Sequence, residues 1–495
     1  MIKLITALTA SSIDEDAIKA GVPSEELMGR VALGILENAP LKEGNTLIVC
    51  GKGGNGGDGY ALYLLMKEKG YPVTVVDFGE SKHTGSVHYR EKCINDITRY
   101  HKDLDFSLYN NIIDCIFGVG LSRRIAGDYA ECIRKINASG AFIVSADVPS
   151  GICSDSGREL GIAVRADVTI SVQNMKVGHF LSDGLDDCGD VGSLDIGLNG
   201  EVYDVLMVER EDVIPLFPLL KRNVHKGDLG RLSIIAGSES YSGASVIAEL
   251  GASAFALGDG LVRLCVPDTI LYPVMSKITE CTLLSMPSVS GGLKFDESYL
   301  AKAILGANVV LFGNGVDVSE DTFRILRYLL ENVTVPLVLD ADGLNLLAKS
   351  TELLRERKHP TILTPHPKEF SRLLGIPTEE ILSDPVSYAK EFASRYGVIV
   401  VLKGASTLIT DGMDVYLSAS GCSGMAKGGS GDLLAGAIAA LIAGGRPPLF
   451  SAYGGCYVLG LAGEAASSEK GDYSMLPSDT AHKIALVVRS LSQKK

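Results

Sequence analysis

The chain lacks features that mark several large classes of protein. No uninterrupted apolar run reaches about 18 residues, the length of a membrane-spanning helix, so we expect no membrane span. Its 10 cysteines include no Cys-x-x-Cys pair, which favours reduced thiols over disulfides or structural zinc. The N-terminal segment has acidic residues by position 14 and no sustained apolar core. We therefore expect a cytoplasmic protein without a signal peptide.

Positive charge is also scarce. The 495 residues include 46 Lys and Arg against 60 Asp and Glu, a net charge of −14. This balance argues against a general nucleic-acid or anionic-membrane binder. Hydrophobic residues make up 46% and charged residues 21% of the chain, as in ordinary soluble globular proteins. The length predicts two or more domains, each with its own core.

A glycine-rich loop between a strand and a helix is the most distinctive feature of the first half. The apolar segment TLIVC (46–50) leads into GKGGNGGDG, then a helix, then a strand that ends at Asp77. Gly51, Gly53 and Gly56 match G-x-G-x-x-G, and Asp77 follows about twenty residues on, which together make the fingerprint of dinucleotide-binding folds. Taken alone, this match favours a Rossmann oxidoreductase.

Two polar residues of the same loop disagree with that interpretation. Asp58 would face the pyrophosphate of a dinucleotide, whose charge has the same sign. Asn55 and Asp58 also offer oxygen atoms for ligands or hydrogen bonds, although ordinary turn chemistry would explain them too. The loop therefore predicts a ligand site without fixing its chemistry.

Other strand ends in the first half carry polar residues as well. Residues 111–124 predict a strand followed by a glycine turn with two arginines, and residues 141–152 predict a strand that ends at Asp147. In an open parallel sheet, ligands bind beyond the carboxyl ends of the strands, so one site could collect these residues. A lone Asp at a strand end is otherwise a turn or cap residue. Alternating strands and helices, including a helix predicted over 14–39, indicate a doubly wound α/β domain.

In this order and spacing, GKGGNGGDG, IIDCIFGVGLSRR and DVPSGI resemble the NAD(P)H-hydrate epimerase domain, over about residues 1–200. The resemblance implies a Rossmann-like three-layer sandwich over residues 1–210 that interconverts the R and S epimers at C6 of hydrated NADH and NADPH. It implies Asp147 as an acid/base group and a potassium ion held by Asn55, Asp114 and Ser150, whose oxygens suit such an ion. Residues that it assigns to the hydrated dinucleotide are Gly54, Asn55, Gly56, Gly57, Asp58, Gly118, Val119, Gly120, Leu121, Ser122, Arg123, Arg124 and Asp147. Gly54 stands where the family usually has a second Asn, so that side-chain contact is lost.

The boundary between the halves is expected near residues 198–220, a strand-poor stretch with two prolines. We assign residues 220–495 to a second α/β domain. Its predicted strands again end in polar residues: Asp340 and Asp342, His366 and Lys403. Each has an ordinary explanation, as a helix cap for either Asp, a loop residue for His366 and a solvated hairpin residue for Lys403.

The stretch GMAKGGSGDLLAG (424–436) joins a glycine-rich turn to an apolar helix. Such a turn directs free N–H groups and the positive end of the helix dipole at one point, which suits phosphate. Asp432 lies beside that point, where a carboxylate can take a proton from a hydroxyl that attacks the phosphate. Ser430 or Asp432 could instead merely cap the helix.

The second half has neither a P-loop nor the protein-kinase motifs. Its Gly-x-Gly-Asp loop is similar to that of the ribokinase-type superfamily. HKGDLGRL, LDADGLN, TPHPKEF, KGAST and GMAKGGSGDLLAG together resemble the ADP/ATP-dependent NAD(P)H-hydrate dehydratases, over about residues 220–490. The resemblance implies a ribokinase-like α/β fold that uses ADP or ATP, with Mg²⁺ at the nucleotide phosphates.

Position by position, the resemblance assigns two sets of residues. Nucleotide binding is assigned to Lys403, Gly404, Ala405, Ser406, Thr407 and Gly431. Contact with the hydrated dinucleotide is assigned to Ala244, Gly315, His366 and the catalytic Asp432. The sequence leaves open whether ADP or ATP is the phosphoryl donor.

These observations predict a two-domain enzyme that repairs hydrated NADH and NADPH, and we expect it to be a homo-oligomer. One alternative is a kinase of a small hydroxymethyl compound, with an N-terminal dinucleotide-binding or scaffold domain. A second alternative makes the N-terminal domain a binding module, and a third is a Rossmann oxidoreductase.

Overall fold

A computed structural model describes residues 1–219, 221–226, 229–254 and 260–492. The chain forms two compact units, Lys3–Val205 and Leu206–Lys495, the latter together with Met1–Ile2. We call them the N-terminal and the C-terminal unit. The division falls after Val205, whereas the sequence prediction ended the first domain at 210 and began the second at 220.

The N-terminal unit contains nine strands, seven of which form one parallel sheet. Its strands are β1 (Ile2–Ile5), β2 (Thr46–Cys50), β3 (Val73–Asp77), β4 (Ile97–Arg99), β5 (Asn111–Cys115), β6 (Phe142–Ala146), β7 (Val168–Val172), β8 (Met175–Lys176) and β9 (Asp190–Leu194). Its helices are α1 (Ala7–Lys19), α2 (Ser24–Asn38), α3 (Gly54–Glu68), α4 (Thr84–Lys92), α5 (Gly127–Ala138) and α6 (Gly184–Asp187). The sheet order is β4-β3-β2-β5-β6-β7-β9, and β1 pairs with β8 outside this sheet.

Helices cover both faces of this sheet. In β2, Ile48 and Cys50 pack with residues of α2 and α3, while Leu47 and Val49 pack with residues of α5. Because successive side chains of a strand point to opposite faces, β2 is apolar throughout. The unit is the three-layer α/β sandwich that the alternation of elements predicts.

The helix predicted over residues 14–39 is wrong in one respect. Two helices occupy this region, α1 and α2, and residues 20–23 separate them. Gly21 has a φ of +98°, a conformation that ends helices, and Pro23 directly precedes α2. A proline at this point cannot continue a preceding helix but starts a new one well.

The C-terminal unit is built on a larger mixed sheet. Its strands are β10 (Val205–Met207), β11 (Arg231–Ile235), β12 (Leu261–Pro267), β13 (Thr282–Met286), β14 (Ser288–Val289), β15 (Gly292–Leu293), β16 (Val309–Phe312), β17 (Leu337–Leu339), β18 (Thr361–Leu363), β19 (Ile399–Leu402), β20 (Thr407–Thr410) and β21 (Val415–Ser418). Its helices are α7 (Arg210–Val213), α8 (Ser242–Ala254), α9 (Leu271–Met275), α10 (Glu297–Ile304), α11 (Glu320–Asn332), α12 (Asp342–Leu347), α13 (Pro367–Leu374), α14 (Thr378–Ser383), α15 (Pro385–Tyr396), α16 (Ser430–Ala443), α17 (Pro448–Lys470) and α18 (Pro477–Ser492).

Within this unit, the order in the large sheet is β13-β12-β11-β16-β17-β18-β19-β20-β21-β10, and β14 and β15 form a separate antiparallel pair. From β13 through β12, β11, β16, β17 and β18 to β19, neighbouring strands are parallel. Strands β19, β20 and β21 form antiparallel hairpins. The carboxyl ends of β16, β17, β18 and β19 therefore meet at one edge, and the loops that follow them lie together. Among the described residues, no helix combines the length and apolar composition needed to cross a membrane.

Helix α16 is the central helix of the C-terminal unit, and it is buried from Leu433 to Ala443. It packs against α8 at very short range. A Cβ atom at Gly436 would lie 2.0 Å from the carbonyl oxygen of Ala248, and one at Gly251 would lie 2.2 Å from that of Leu433. The Gly and Ala content of both helices is therefore a packing requirement. This close packing of α8 and α16 fixes the position of the first turn of α16.

Candidate active sites

A cavity of about 600 Å³ lies at the carboxyl ends of the central strands of the N-terminal unit, a usual size for small-molecule sites. Most residues assigned there from the sequence line it: Gly54, Asn55, Asp58, Gly118, Val119, Gly120, Leu121, Ser122, Arg123 and Asp147. Gly56, Gly57 and Arg124 do not line it. A Cβ atom at Gly56 would lie 2.1 Å from the carbonyl oxygen of Gly51, and one at Gly57 would lie 2.5 Å from Ser86 Oγ. These two glycines permit close packing around the loop.

Asp147 is held at the cavity by a buried lysine. It follows β6 with a φ of +69°, and its Oδ1 accepts a hydrogen bond of 2.5 Å from Lys176 Nζ. Lys176 is 1% exposed. His179 accepts from the Lys176 N–H through Nδ1 and contacts the Asp147 carbonyl oxygen through Nε2 at 3.0 Å, so Nε2 carries its proton. Burial opposes the charge of Asp147, but Lys176 outweighs it and lowers the pKa of Asp147 below its usual value.

A second carboxyl group of the cavity, that of Asp58, binds its proton more tightly than usual, in contrast to Asp147. Burial, together with the charges of Asp147 and Asp14, raises the pKa of Asp58 well above its usual value. Asp14 lines the same cavity from α1, and burial and Asp147 raise its pKa as well. The cavity thus combines a carboxylate with a carboxyl group that stays protonated more readily, a pairing suited to acid/base work.

The three residues assigned to potassium are linked by hydrogen bonds through the Phe117 carbonyl oxygen. Ser150 Oγ lies 2.6 Å from Asp114 Oδ1 and 3.2 Å from the Phe117 carbonyl oxygen. Asn55 Nδ2 donates to the same carbonyl oxygen at 2.9 Å. Asn55 Oδ1 is buried and has no hydrogen-bond partner among the described residues. An unsatisfied amide oxygen is a group that a monovalent cation would use. The Ser150 hydroxyl and the Asp114 carboxylate supply further oxygens and are linked to Asn55 through the Phe117 carbonyl oxygen, so these residues fit potassium.

Asp77 does not have the role that the dinucleotide fingerprint gives it. It is fully buried and accepts hydrogen bonds from Tyr60 Oη at 3.1 Å, Arg90 Nε at 2.8 Å and Arg99 Nη1 at 3.3 Å. A carboxylate engaged in this way is not free to bind a ribose. The Rossmann interpretation is therefore wrong at this residue.

In the C-terminal unit, the first turn of α16 has no side-chain cap. Gly429 is its N-cap residue, with a φ of +99° that favours glycine. The first N–H groups of a helix have no intrahelical acceptor and attract anions. A Cβ atom at Gly431 would lie 3.2 Å from Lys403 Nζ, so a lysine ammonium stands directly beside this turn. The arrangement is suited to a phosphate.

Asp432 does not cap α16, so the cap interpretation is wrong. Its Oδ1 accepts a hydrogen bond of 2.7 Å from Asn314 Nδ2, in the loop after β16. Burial and the charge of Asp340 raise the pKa of Asp432 to about 6, although Asn314 and Lys403 act to lower it. A carboxylate whose pKa is close to neutral is a well-matched general base.

Asp340 is the buried centre of this site. Its Oδ2 accepts a hydrogen bond of 2.8 Å from Asn314, and its Oδ1 accepts from Lys403 Nζ at 2.8 Å and Thr364 Oγ1 at 2.7 Å. The side chain of Lys403 is 19% exposed. Lys403 is thus a hairpin residue, but its ammonium is paired inside the site instead of solvated.

His366 is the N-cap residue of α13, where its Nδ1 accepts from the backbone N–H groups of Lys368 and Glu369. Burial and the charge of Lys403 lower its pKa. Glu369 lies 3.9 Å from Lys403 Nζ, and burial raises its pKa to about 7. Asp342 also starts a helix, α12, but gives no side-chain cap and accepts the Asp317 N–H instead.

The remaining assigned residues neighbour Asn314 or Lys403 in the sequence or contact such a neighbour. A Cβ atom at Gly315 would lie 2.9 Å from Ala244 Cβ, so Gly315 and Ala244 are neighbours. In the loop between β19 and β20, Gly404 and Ala405 are exposed, and Thr407, the first residue of β20, is half-buried. Ser406 is buried, and its Oγ has no partner among the described residues.

Lys427 directly precedes the glycine pair of the loop before α16. Its Nζ donates to the carbonyl oxygens of Asp472 and Tyr473 at 3.0 and 3.1 Å. The ammonium therefore fastens the glycine loop to residues 472–473 and is not free to bind phosphate. Residues 227–228 of the HKGDLGRL segment lie outside the described residues.

Sequence patterns did not indicate several residues of the two sites. Asp14, His83 and Met28 line the first cavity, and Asn314 and Glu369 belong to the second site. Asn314 had a local signal, since it stands between Gly313 and Gly315 at a strand end. Asp14 had none, because an acidic residue on a helix is usually solvated.

Comparisons with known proteins cover both units. Residues 232–486 match the family described as NAD(P)H-hydrate dehydratase, and residues 24–178 match the YjeF-related protein N-terminus. The chain is 32% identical to the bifunctional NAD(P)H-hydrate repair enzyme Nnr of Thermofilum pendens, over 97% of this chain and 94% of that protein. It is also 32% identical to the enzyme of that name from Escherichia coli, over 94% and 90% of the two chains.

Among solved structures, the ADP/ATP-dependent NAD(P)H-hydrate dehydratase of Bacillus subtilis, co-crystallised with ATP and Mg²⁺, is 26% identical with a TM-score of 0.51. It covers 59% of this chain and 100% of its own. A ribokinase-like superfamily protein of Enterococcus faecalis covers 59% of this chain and 98% of its own, with 22% identity and a TM-score of 0.52. The second likeness concerns the fold alone.

Proposed function

The chain belongs to the bifunctional NAD(P)H-hydrate repair enzymes, and on this premise we propose how its two sites divide the reaction. The N-terminal unit epimerises hydrated NADH and NADPH at C6. The C-terminal unit dehydrates the S epimer at the expense of ADP or ATP. The individual residue roles below are our proposals.

In the N-terminal cavity, Asp147 and Asp58 act as a base and an acid. The hydroxyl of the hydrated ring stands on a carbon next to the ring nitrogen, whose lone pair can expel it once it is protonated. Asp58, which holds its proton readily, gives that proton to the leaving hydroxyl. Asp147, kept ionised by Lys176, takes a proton from the water that adds to the opposite face. Gly54, Gly118–Ser122 and Arg123 surround the bound dinucleotide.

Potassium would be held by Asn55, Asp114 and Ser150. The unpaired Asn55 Oδ1 supports this assignment. The ion would supply a fixed positive charge beside the loops that bind the pyrophosphate. Asn55 and Ser150 already connect those loops through the Phe117 carbonyl oxygen.

In the C-terminal site, the Asp432 carboxylate takes the proton of the ring hydroxyl. The hydroxyl oxygen then attacks the terminal phosphorus of the nucleotide, and the bond to the bridging oxygen breaks, which releases AMP from ADP or ADP from ATP. The N–H groups of the first turn of α16 and Lys403 stabilise the negative charge that develops. Phosphate leaves far more easily than hydroxide, so loss of phosphate from C6 and of a proton from the neighbouring ring carbon restores the dihydronicotinamide ring of NADH or NADPH.

Lys403–Thr407 and Gly431 are proposed to bind the nucleotide, and Ala244, Gly315 and His366 the hydrated ring. The described residues contain no cluster of three or more His, Cys, Asp or Glu placed to hold a metal. We therefore expect Mg²⁺ to be held chiefly by the nucleotide phosphates and water, as is common for this ion. Either ADP or ATP can serve as phosphoryl donor in this scheme, and the assay below compares the two in separate tubes.

We also propose a cytoplasmic homo-oligomer without nucleic-acid partners. The net charge of −14 supports the last point. Light scattering of the purified protein tests the oligomeric state.

One observation carries the proposed dehydratase role: Asp432, whose pKa is raised, lies in the first turn of α16, and Lys403 lies beside the same turn. The test is to incubate a mixture of NADHX epimers with the protein and Mg²⁺, with ADP or ATP in separate tubes. We expect nucleotide-dependent growth of reduced-nicotinamide absorbance and an equal release of phosphate. Accumulation of a stable phosphorylated product would favour a small-molecule kinase instead.

A further inference from the structure

We propose that Asn314 is a positioning residue for the dehydratase reaction: its side-chain amide holds the Asp432 carboxylate in place and in its ionised form by bridging it to Asp340. This inference rests on the proposed role of Asp432 as the base. Neither the family resemblance nor the sequence motifs assign a role to Asn314.

The geometry of the bridge is direct. The side-chain nitrogen of Asn314, Nδ2, donates to Asp432 Oδ1 at 2.7 Å and to Asp340 Oδ2 at 2.8 Å. These two bonds use both of its N–H groups. The side chain is fully buried. Its backbone is fixed as well, because the Asn314 carbonyl oxygen accepts the Gly237 N–H at 2.8 Å. The amide is therefore a rigid support for Asp432.

The orientation of this amide follows from its neighbours. Asn314 Oδ1 has no hydrogen-bond partner in the part of the chain that the structure describes. Turning the amide over would bring Oδ1 against two carboxylates and leave no donor between them. Only the observed orientation separates the two acids, so the bridge is required by the charges on either side.

Charged groups reach Asp432 from several elements. Asp340 at the end of β17 and Asp342 at the start of α12 disfavour its ionised form, while Lys403 after β19 favours it. The Asn314 hydrogen bond also favours the ionised form. Removing this donor leaves the repulsion of Asp340 in place, so the carboxyl must bind its proton more tightly.

The two oxygens of Asp340 have different partners: Oδ2 takes part in the bridge to Asp432, and Oδ1 anchors Lys403. The other oxygen of Asp340, Oδ1, accepts from Lys403 and Thr364, independently of the bond between Oδ2 and Asn314. Loss of the Asn314 amide therefore leaves Lys403 anchored beside Gly431. We expect the turnover number and its pH dependence to change, and the KM for ADP to stay close to that of the wild type.

The experiment measures kcat/KM for S-NADHX against pH, with saturating ADP and Mg²⁺, in the full chain and in Asn314→Ala. A hydrogen bond to a charged group of ordinary strength corresponds to about one to two pH units. We expect the acidic limb of the profile to move to higher pH by that amount in Asn314→Ala. If the alanine variant folds poorly, Asn314→Asp takes its place. It keeps the shape of the side chain but replaces the amide donor by an acid, and it should move the acidic limb in the same direction.

Asn345→Ala is the matched control. Asn345 Nδ2 donates to Asp342 Oδ1 at 3.2 Å, so this variant removes an amide–carboxylate bond nearby that does not involve Asp432. Its acidic limb should stay at the wild-type position. Folded Asn314 variants with an unshifted limb would overturn the inference alone. Undiminished turnover by Asp432→Ala, measured in parallel, would instead overturn the proposed role of Asp432.

Discussion

Replacing Asp432 by Asn separates its chemical role from its structural one. The amide has nearly the shape of the carboxylate, and its Oδ1 can still accept the hydrogen bond from Asn314 Nδ2, which is 2.7 Å long in the wild type. What disappears is the ability to take a proton. The variant should therefore keep the fold and the nucleotide site while losing the base.

The expected loss of turnover is about 10²–10⁴-fold, the usual contribution of a general base. The stability should change in the opposite direction. The pKa of Asp432 is raised from 3.8 to about 6 in the fold, so ionising it costs stability above pH 6, and this cost vanishes as the pH falls below 3.8. The neutral amide avoids the cost, and we expect the variant to be more stable at pH 7 by about 1–3 kcal/mol.

Two measurements on the same preparation check this prediction. Initial rates of NADH recovery from S-NADHX with ADP give the loss of turnover, and urea unfolding at pH 7 and pH 4 gives the stability. The gain in stability should be present at pH 7 and largely absent at pH 4. A variant that turns over within tenfold of the wild type, or that is less stable at pH 7, would refute the reasoning.

The remaining predictions concern the N-terminal cavity and the core. Lys176→Met removes the cation that lowers the pKa of Asp147, so epimerisation of R-NADHX should fall by at least about tenfold while dehydration of S-NADHX is unchanged; equal loss of both activities would contradict this. Gly436→Ala places a Cβ atom 2.0 Å from the Ala248 carbonyl oxygen and should destabilise the protein by about 1–3 kcal/mol in urea unfolding. Gly243→Ala in the facing helix α8, where a Cβ would meet no atom within 4 Å, is its control and should be neutral or slightly stabilising.

Much of the fold could be predicted from the sequence because its strands are short, apolar and followed by glycine or acidic turns. TLIVC and the loop after it are a clear example, since β2 is buried on both faces and must be apolar throughout. The same logic predicted that Asp147 and Lys403 belong to sites, because parallel strands bring their carboxyl ends together. Asp432 was predicted from the glycine-rich turn that opens α16.

What the sequence did not reveal depends on long-range contacts. Asn314 and Asp432 are 118 positions apart, and no local pattern connects them. Asp77 matched a fingerprint by spacing, but Arg90 and Arg99 occupy its carboxylate. The helix expected over 14–39 failed for a local reason that was visible, since Gly21 and Pro23 interrupt the apolar pattern.

The central claim is that two separate sites act in sequence on one damaged cofactor. Its most direct test starts from pure R-NADHX with ADP and Mg²⁺ and follows the recovery of NADH above the rate without enzyme. Asp147→Asn alone and Asp432→Asn alone should each fail to recover NADH, whereas an equal mixture of the two variants should restore it. If the mixture stays inactive while each variant is folded, or if Asp147→Asn alone converts the R epimer at the wild-type rate, the account is contradicted.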